Sequence, residues 1–159
     1  MKEENKIEYN TKKSANESYQ EVELFVKKTG PKGPKITGSE TAAKFLKDNW
    51  AGCLNYRESF YALYLNQANE IIGKYLISQG GISSTVVDCR LVFSGALKIG
   101  ASALIVSHNH PSGNLKPSEA DKNMTKKLVL GGKYLDIAVL DHIIVTDESY
   151  TSFADEGLI

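Results

Sequence analysis

The stretch Ala103-Leu104-Ile105-Val106-Ser107 is short and apolar, and it runs straight into His108-Asn109-His110-Pro111-Ser112-Gly113. An apolar run of that length reads as a buried strand, and Pro111 and Gly113 then turn the chain sharply out of it. A few residues later Ser118-Glu119-Ala120-Asp121 opens a helix, with Ser118 at the N-cap and acidic side chains in the first turn. Strand, turn and helix in that order make one unit of a layered fold. A strand buried in such a unit needs further strands beside it and helices over it.

The rest of the chain supplies them. Phe60 to Leu65 and Ile71 to Ile77 are apolar runs separated by the turn residues Asn66-Gln67-Ala68-Asn69, the pattern of a hairpin. A further strand is expected around Thr85 to Val87. Leu91 to Ile99 predicts a helix in which Gly95 and Ala96 allow close packing on a sheet. The helix that starts at Ser118 is expected to run to about Leu130, where Gly131-Gly132 stop it, and Ile137 to Thr146 predicts another strand. Upstream, Ser39 is the expected cap of a helix whose inner face carries Ala42, Ala43, Phe45, Leu46 and Trp50. Val22 to Val26 predicts a short strand, and residues 29–34, rich in glycine and proline, a linker. The expectation is an α/β (α+β) domain, a mixed sheet flanked by helices, over residues 36–159, preceded by an N-terminal arm and linker over residues 1–35. No internal repeat is present.

Composition narrows the function. The 159 residues carry 19 basic and 19 acidic side chains, so strong binding to random duplex DNA is not expected. No segment has the length or apolarity of a membrane span, and MKEENKIEYNTKKS lacks the apolar stretch of a leader. A cytoplasmic location and no membrane partner follow as expectations. Cys53 and Cys89 have no paired spacing, which argues against a disulfide scaffold or a zinc ribbon and leaves buried, inert thiols as the expectation.

The chemistry lies in the strand–turn–helix unit. Histidines at i and i+2 of extended backbone point to one side while Asn109 points to the other. Asp121, in the first turn of the next helix, can reach back towards them. Two imidazoles and a carboxylate form a three-ligand catalytic zinc set that keeps the fourth position for water, whose pKa falls to about 7 there. The same residues have a purely structural use, because Ser118-x-x-Asp121 is also a capping box. Asp141 and His142, adjacent on a predicted strand, face opposite ways. One of them could orient a ligand imidazole through its second nitrogen, or His142 is an ordinary hydrogen-bonded strand residue.

Taken together, His-x-His, seven residues, Ser, two residues, Asp resembles the JAMM motif of JAB/MPN-type metalloproteases. SHNHPSGNLKPSEAD, followed by LDHIIVT and the closing SFADEGL, is similar to the RadC-like branch, and the resemblance runs from about Tyr56 to the C-terminus. It implies a JAB/MPN-like fold with the layering of cytidine deaminases. It also implies one zinc held by His108, His110 and Asp121, with Ser118 stabilising the tetrahedral intermediate and an upstream glutamate as general base. Glu58, at the mouth of the first core strand, is where the family places that base. Glu70, beside the hairpin turn, is the competitor and is expected to be solvated, and Glu58 as a plain surface charge is the alternative. The implied activity is hydrolysis of a peptide or isopeptide bond in a protein or peptide substrate that the sequence does not identify.

Fuller RadC proteins resemble a fusion of this domain to helix-hairpin-helix repeats associated with DNA binding. No such repeat is found here, so a repair role transfers poorly. A nucleic-acid-associated accessory protein that keeps the metal site without proteolysis is the alternative function. Zinc deaminase chemistry expects His-x-Glu with Pro-Cys-x-x-Cys, and the chain has neither.

Overall fold

The computed structural model describes residues 23–27, 30–31, 33–80 and 87–159. Helix α1 (Ser39–Asp48) leads into the hairpin β1 (Ser59–Leu65) and β2 (Ile71–Gln79). Then follow α2 (Cys89–Ile99), β3 (Ala103–Asn109), α3 (Glu119–Leu135), β4 (Ala138–Val145) and the short β5 (Tyr150–Ser152). The strands form one sheet in the order β2-β1-β3-β4-β5. All neighbours run antiparallel except β3 and β4, which are parallel. The mixed sheet flanked by helices expected from the sequence is the fold observed.

Both faces of the sheet are covered, which is why β1 and β3 are buried at every residue. Alternate side chains serve the two faces. Tyr61, Leu63, Leu65, Ala103, Ile105, Ile143 and Val145 pack with Ala42, Ala43 and Leu46 of α1. Phe60, Ala62, Tyr64, Leu104 and Val106 pack with Val92, Phe93 and Ala96 of α2 and Leu128 of α3. The parallel β3–β4 pair needs a crossover, and α3 is that crossover. It carries the chain from the C-terminal end of β3 back to the start of β4.

The hairpin forms as its spacing predicts, and the Asn66 side-chain oxygen accepts the N–H groups of Ala68 and Glu70, both at 2.9 Å. Other details differ from expectation. Gly38, not Ser39, is the N-cap of α1. Thr41 Oγ1 reaches back to accept the N–H groups of Thr37 and Gly38, while Ser39 donates to Asp155 at 2.6 Å. Residues 23–27 have no regular structure, and Val22 lies outside the described residues. Of the strand expected at Thr85 to Val87, Thr85 and Val86 lie outside them too, and Val87 is not in a strand. β5, only three residues long, has too little pattern to be seen in advance. Among the described residues no helix is long and apolar enough to cross a membrane.

Gly131-Gly132 does not stop α3, which continues to Leu135 and ends at Asp136 in a left-handed conformation, φ 54°. The pair serves close approach instead. A Cβ on Gly132 would lie 2.3 Å from the Ile137 carbonyl oxygen, and one on Gly131 would lie 2.8 Å from the Phe93 ring. In an open helix Gly→Ala stabilises by about 1 kcal/mol. At Gly132 the clash is with backbone, and overpacking of that kind costs about 1–3 kcal/mol. Gly132→Ala is therefore expected to lower the thermal midpoint, and Gly131→Ala, which meets only a side chain, to lower it less. A raised midpoint for Gly132→Ala would contradict the packing described.

Candidate metal centre

β3 extends two residues beyond Ser107, so His108 belongs to the strand itself rather than to the loop after it. Its side chain is on the α3 face and is buried, 1 % exposed. His110 follows just past the strand end, half-buried, with its N–H bonded to the Val145 carbonyl at 3.2 Å. The turn then closes through Gly113 N–H to the His110 carbonyl, 3.0 Å, with Gly113 at φ 78°. Within this turn the Asn114 carbonyl oxygen meets His110 Nδ1. A carbonyl can only accept, so Nδ1 carries a hydrogen, and in the neutral ring Nε2 is then the bare lone pair.

Asp121 approaches from the first turn of α3. Its Oδ2 accepts from Ser118 N–H at 2.8 Å and from Ser118 Oγ at 2.6 Å, while its own N–H donates back to Ser118 Oγ at 3.1 Å. This is the capping box read from the sequence. The carboxylate nevertheless also faces the imidazoles, with Oδ1 3.4 Å from His108 Nε2 and Oδ2 3.9 Å from His110 Nε2. Capping and ligation are compatible, because the cap uses one oxygen and leaves the other turned inward. The two Nε2 atoms lie 2.9 Å apart, and the three ligand atoms all fall within 4.8 Å of one another.

Burial pulls the His108 imidazole down to about 4, assisted by His110 and opposed by the Asp121 carboxylate. Burial, then His108 and His110, hold His142 well below the ordinary histidine range. Near neutral pH these rings offer lone pairs rather than positive charge, as metal ligation requires. Two imidazole nitrogens and a carboxylate oxygen converging on one point, with His110 and Asp121 open to one side, fit a divalent ion with exchangeable positions.

Glu58 directly precedes β1 and is half-buried. Burial raises its carboxyl, His110 opposes that shift and Asp121 adds to it, so the group lies within electrostatic reach of the centre. Asn109 holds it there. Turned away from the imidazoles and fully buried, the Asn109 amide accepts Ser59 N–H at 2.7 Å and donates to the carbonyls of Leu54 at 2.6 Å and Arg57 at 2.8 Å. The backbone is thus pinned on both sides of Glu58. Glu70 is at the other end of β1, beside the turn, where Asn66 Nδ2 donates to it at 2.7 Å. In the β1–β3 register Phe60 pairs with His108 and Leu65 with Ala103, which places Glu70 at the end of the sheet away from the histidines.

Of the adjacent pair on β4, His142 and not Asp141 faces the ligands. His142 Nε2 is 2.8 Å from His108 Nδ1, and its Nδ1 is 2.6 Å from Thr125 Oγ1. Phe153 stacks on the ring at 4.5 Å between centroids. Asp141, on the opposite face, accepts from Ser152 Oγ at 2.6 Å and Ala154 N–H at 3.0 Å. The closing SFADEGL therefore has a structural task, to clamp β4 from both sides. Thr125 and Phe153 were not singled out from the sequence. Thr125 had a signal, since it lies four residues after Asp121 on the same helix face; Phe153 had none. Of the thiols, Cys89 is half-buried beside Met124, but Cys53 is exposed in the loop before β1, contrary to expectation.

Residues 36–158 match the family model described as the RadC-like JAB domain. A UPF0758 protein of Flavobacterium johnsoniae is 52% identical over 124 residues, covering 78% of this chain and 53% of its own length. UPF0758 protein YfjY of Escherichia coli is 44% identical over 127 residues, 80% of this chain and 78% of its own length. A UPF0758 protein of Salinibacter ruber is 46% identical over 103 residues, 65% of this chain and 44% of its own length. Apart from YfjY, the chain spans about half the length of these relatives.

The Asn109 contacts generate a test. Asn109→Ala leaves a buried N–H and two carbonyls to find new partners, and each buried group left unpaired costs about 1–3 kcal/mol. The variant is expected to have a lower thermal midpoint and faster proteolysis within residues 51–58. An unchanged cleavage pattern there would show that the amide does not hold the loop.

Proposed function

The chain belongs to the RadC-like JAB domain family, and we propose that it is a zinc-dependent hydrolase of peptide or isopeptide bonds. The observation that carries this reading is the convergence of His108, His110 and Asp121 on one point open to solvent. A ligand set of two imidazoles and one carboxylate is that of catalytic zinc centres. Zinc supplies such a centre with an acidified water, pKa about 7, and a Lewis acid for a substrate carbonyl.

The protein's own groups divide the remaining work. Glu58 needs no place among the ligands, so its carboxylate is free to take the proton from the attacking water and return it to the leaving nitrogen. Partial burial raises its carboxyl towards the operating pH, which suits that exchange. The Ser118 hydroxyl, on the exposed helix start, donates to Asp121. Rotated outward, it can donate to the oxyanion that forms on the substrate. Asn109 keeps Glu58 aimed.

Three measurements test the proposal. Elemental analysis should find about one zinc per wild-type chain, as the three-ligand set requires, and much less in His108→Ala and His110→Ala. Equal metal in all three would remove the centre. Asp121→Asn keeps a competent capping side chain but removes a negative ligand, so it should bind zinc more weakly while melting within a few degrees of wild type. Glu58→Gln should keep both zinc and fold and lose about 10²–10⁴ in rate on a substrate found by screening peptide and isopeptide libraries. Wild-type turnover by Glu58→Gln would refute the assigned base.

A further inference from the structure

We infer that Thr125 and His142 form a one-way hydrogen-bond relay that holds His108 in the tautomer able to bind a metal. The inference rests on the metal-centre reading above and concerns residues outside the ligand set. The relay has four members. Thr125 Oγ1 is 2.7 Å from the Asp121 main-chain carbonyl oxygen and 2.6 Å from His142 Nδ1. His142 Nε2 is 2.8 Å from His108 Nδ1. Thr125, His142 and His108 are all at most 1 % exposed, so no solvent substitutes for a missing partner.

Direction follows from counting hydrogens. The Asp121 carbonyl can only accept, and a threonine hydroxyl has a single hydrogen to give. That hydrogen goes to the carbonyl, so Thr125 Oγ1 must accept from His142 and His142 carries its hydrogen on Nδ1. His142 Nε2 is then a lone pair, which accepts from His108 Nδ1–H. A neutral imidazole holds only one hydrogen, so His108 Nε2 is bare. That atom faces Asp121 Oδ1 and, at 2.9 Å, the equally bare His110 Nε2, so the forward order leaves acceptors facing one another only where a cation would sit between them.

The reverse order leaves a bare acceptor pair deep in the core, where no cation can enter, and puts a hydrogen where the metal would bind. If Thr125 gave its hydrogen to His142, its oxygen would sit 2.7 Å from the Asp121 carbonyl oxygen with no hydrogen between two buried acceptors. It would also place a hydrogen on His108 Nε2, blocking ligation. Asp121 therefore contributes twice: its side chain faces the metal position, and its main-chain carbonyl fixes the orientation of everything behind His108. His142 and Thr125 are positioning residues. Phe153 stacks on the His142 ring at 4.5 Å between centroids and limits its rotation.

The test uses Thr125→Val, which replaces the hydroxyl with a methyl of nearly equal size, and Thr125→Ser, which restores the hydroxyl. Zinc affinity is measured by chelator competition, and histidine tautomers in the zinc-loaded protein by ¹⁵N–¹H multiple-bond correlation spectra. In wild type His142 and His108 should both carry hydrogen on Nδ1. Thr125→Val should bind zinc about 10–100-fold more weakly, the loss usual when a partner behind a ligand is removed, and Thr125→Ser should recover most of it. Thermal midpoints of the metal-free variants separate this effect from general loosening of α3. Zinc-loaded wild type with His142 protonated on Nε2, or wild-type zinc affinity in Thr125→Val, overturns the relay while leaving the zinc reading intact. Wild type that takes up no zinc overturns both.

Discussion

The parallel pairing of β3 with β4 is the constraint on which the rest of this molecule depends. Two parallel neighbours cannot be joined by a tight turn, so the chain must leave β3, cross one face of the sheet as α3 and re-enter at the start of β4. That path brings the first turn of α3 back over the strand end it has just left. Asp121 meets His108 because of it, and Thr125, one turn further along, meets His142 on the neighbouring strand. Functional groups at the C-terminal ends of parallel strands are a general outcome of this geometry. Here it accounts for the spacing between the histidine pair and the aspartate.

The cost of that arrangement is the burial of polar rings. His108, His110 and His142 are the only histidines in the chain, and the first and last of them are removed from water. An amide- or imidazole-like group without a partner in such a place is penalised by about 1–3 kcal/mol. Every ring nitrogen of the three nevertheless has a polar neighbour within hydrogen-bond range. Aromatic packing closes the remaining sides, with Phe153 stacked on His142 and the Phe60 ring edge-on to it at 5.6 Å. Among the described residues the one buried side-chain polar atom without a partner is the Tyr61 hydroxyl, which points into the other layer. On the tautomers assigned above, the facing Nε2 lone pairs of His108 and His110 are left for a cation, and the apolar layer carries the other exception.

The sequence disclosed the features that local chemistry determines. Alternating apolar runs and Asn66 to Asn69 disclosed the hairpin, and the two-residue period of a strand placed His108 and His110 together. The capping pattern at Ser118 put Asp121 in a first turn, within reach of both. What stayed hidden depends on contacts between distant segments. Gly131-Gly132 looks like a helix stop until the Ile137 carbonyl is known to lie against it. His142 looks like any strand residue until β4 is set beside β3. Phe153 is an apolar residue near the C-terminus with no periodic pattern, and only the β4–β5 pairing brings it onto an imidazole. Ser39 stands one residue inside the helix, after Gly38, and its hydroxyl bonds the distant Asp155 instead.

The side chains of His108, Asn109 and His110 share one short segment but answer to different demands. The two histidines face the candidate metal position, while Asn109 serves the architecture of a loop some fifty residues upstream in the sequence, bonding it at 2.6–2.8 Å. Site chemistry and foldability therefore lean on alternate letters of the same word. Loss of His110 would leave those loop contacts standing, whereas loss of the buried His108 would also strip His142 of its partner. Loss of Asn109 would free the backbone on both sides of Glu58 while leaving the three candidate ligands together.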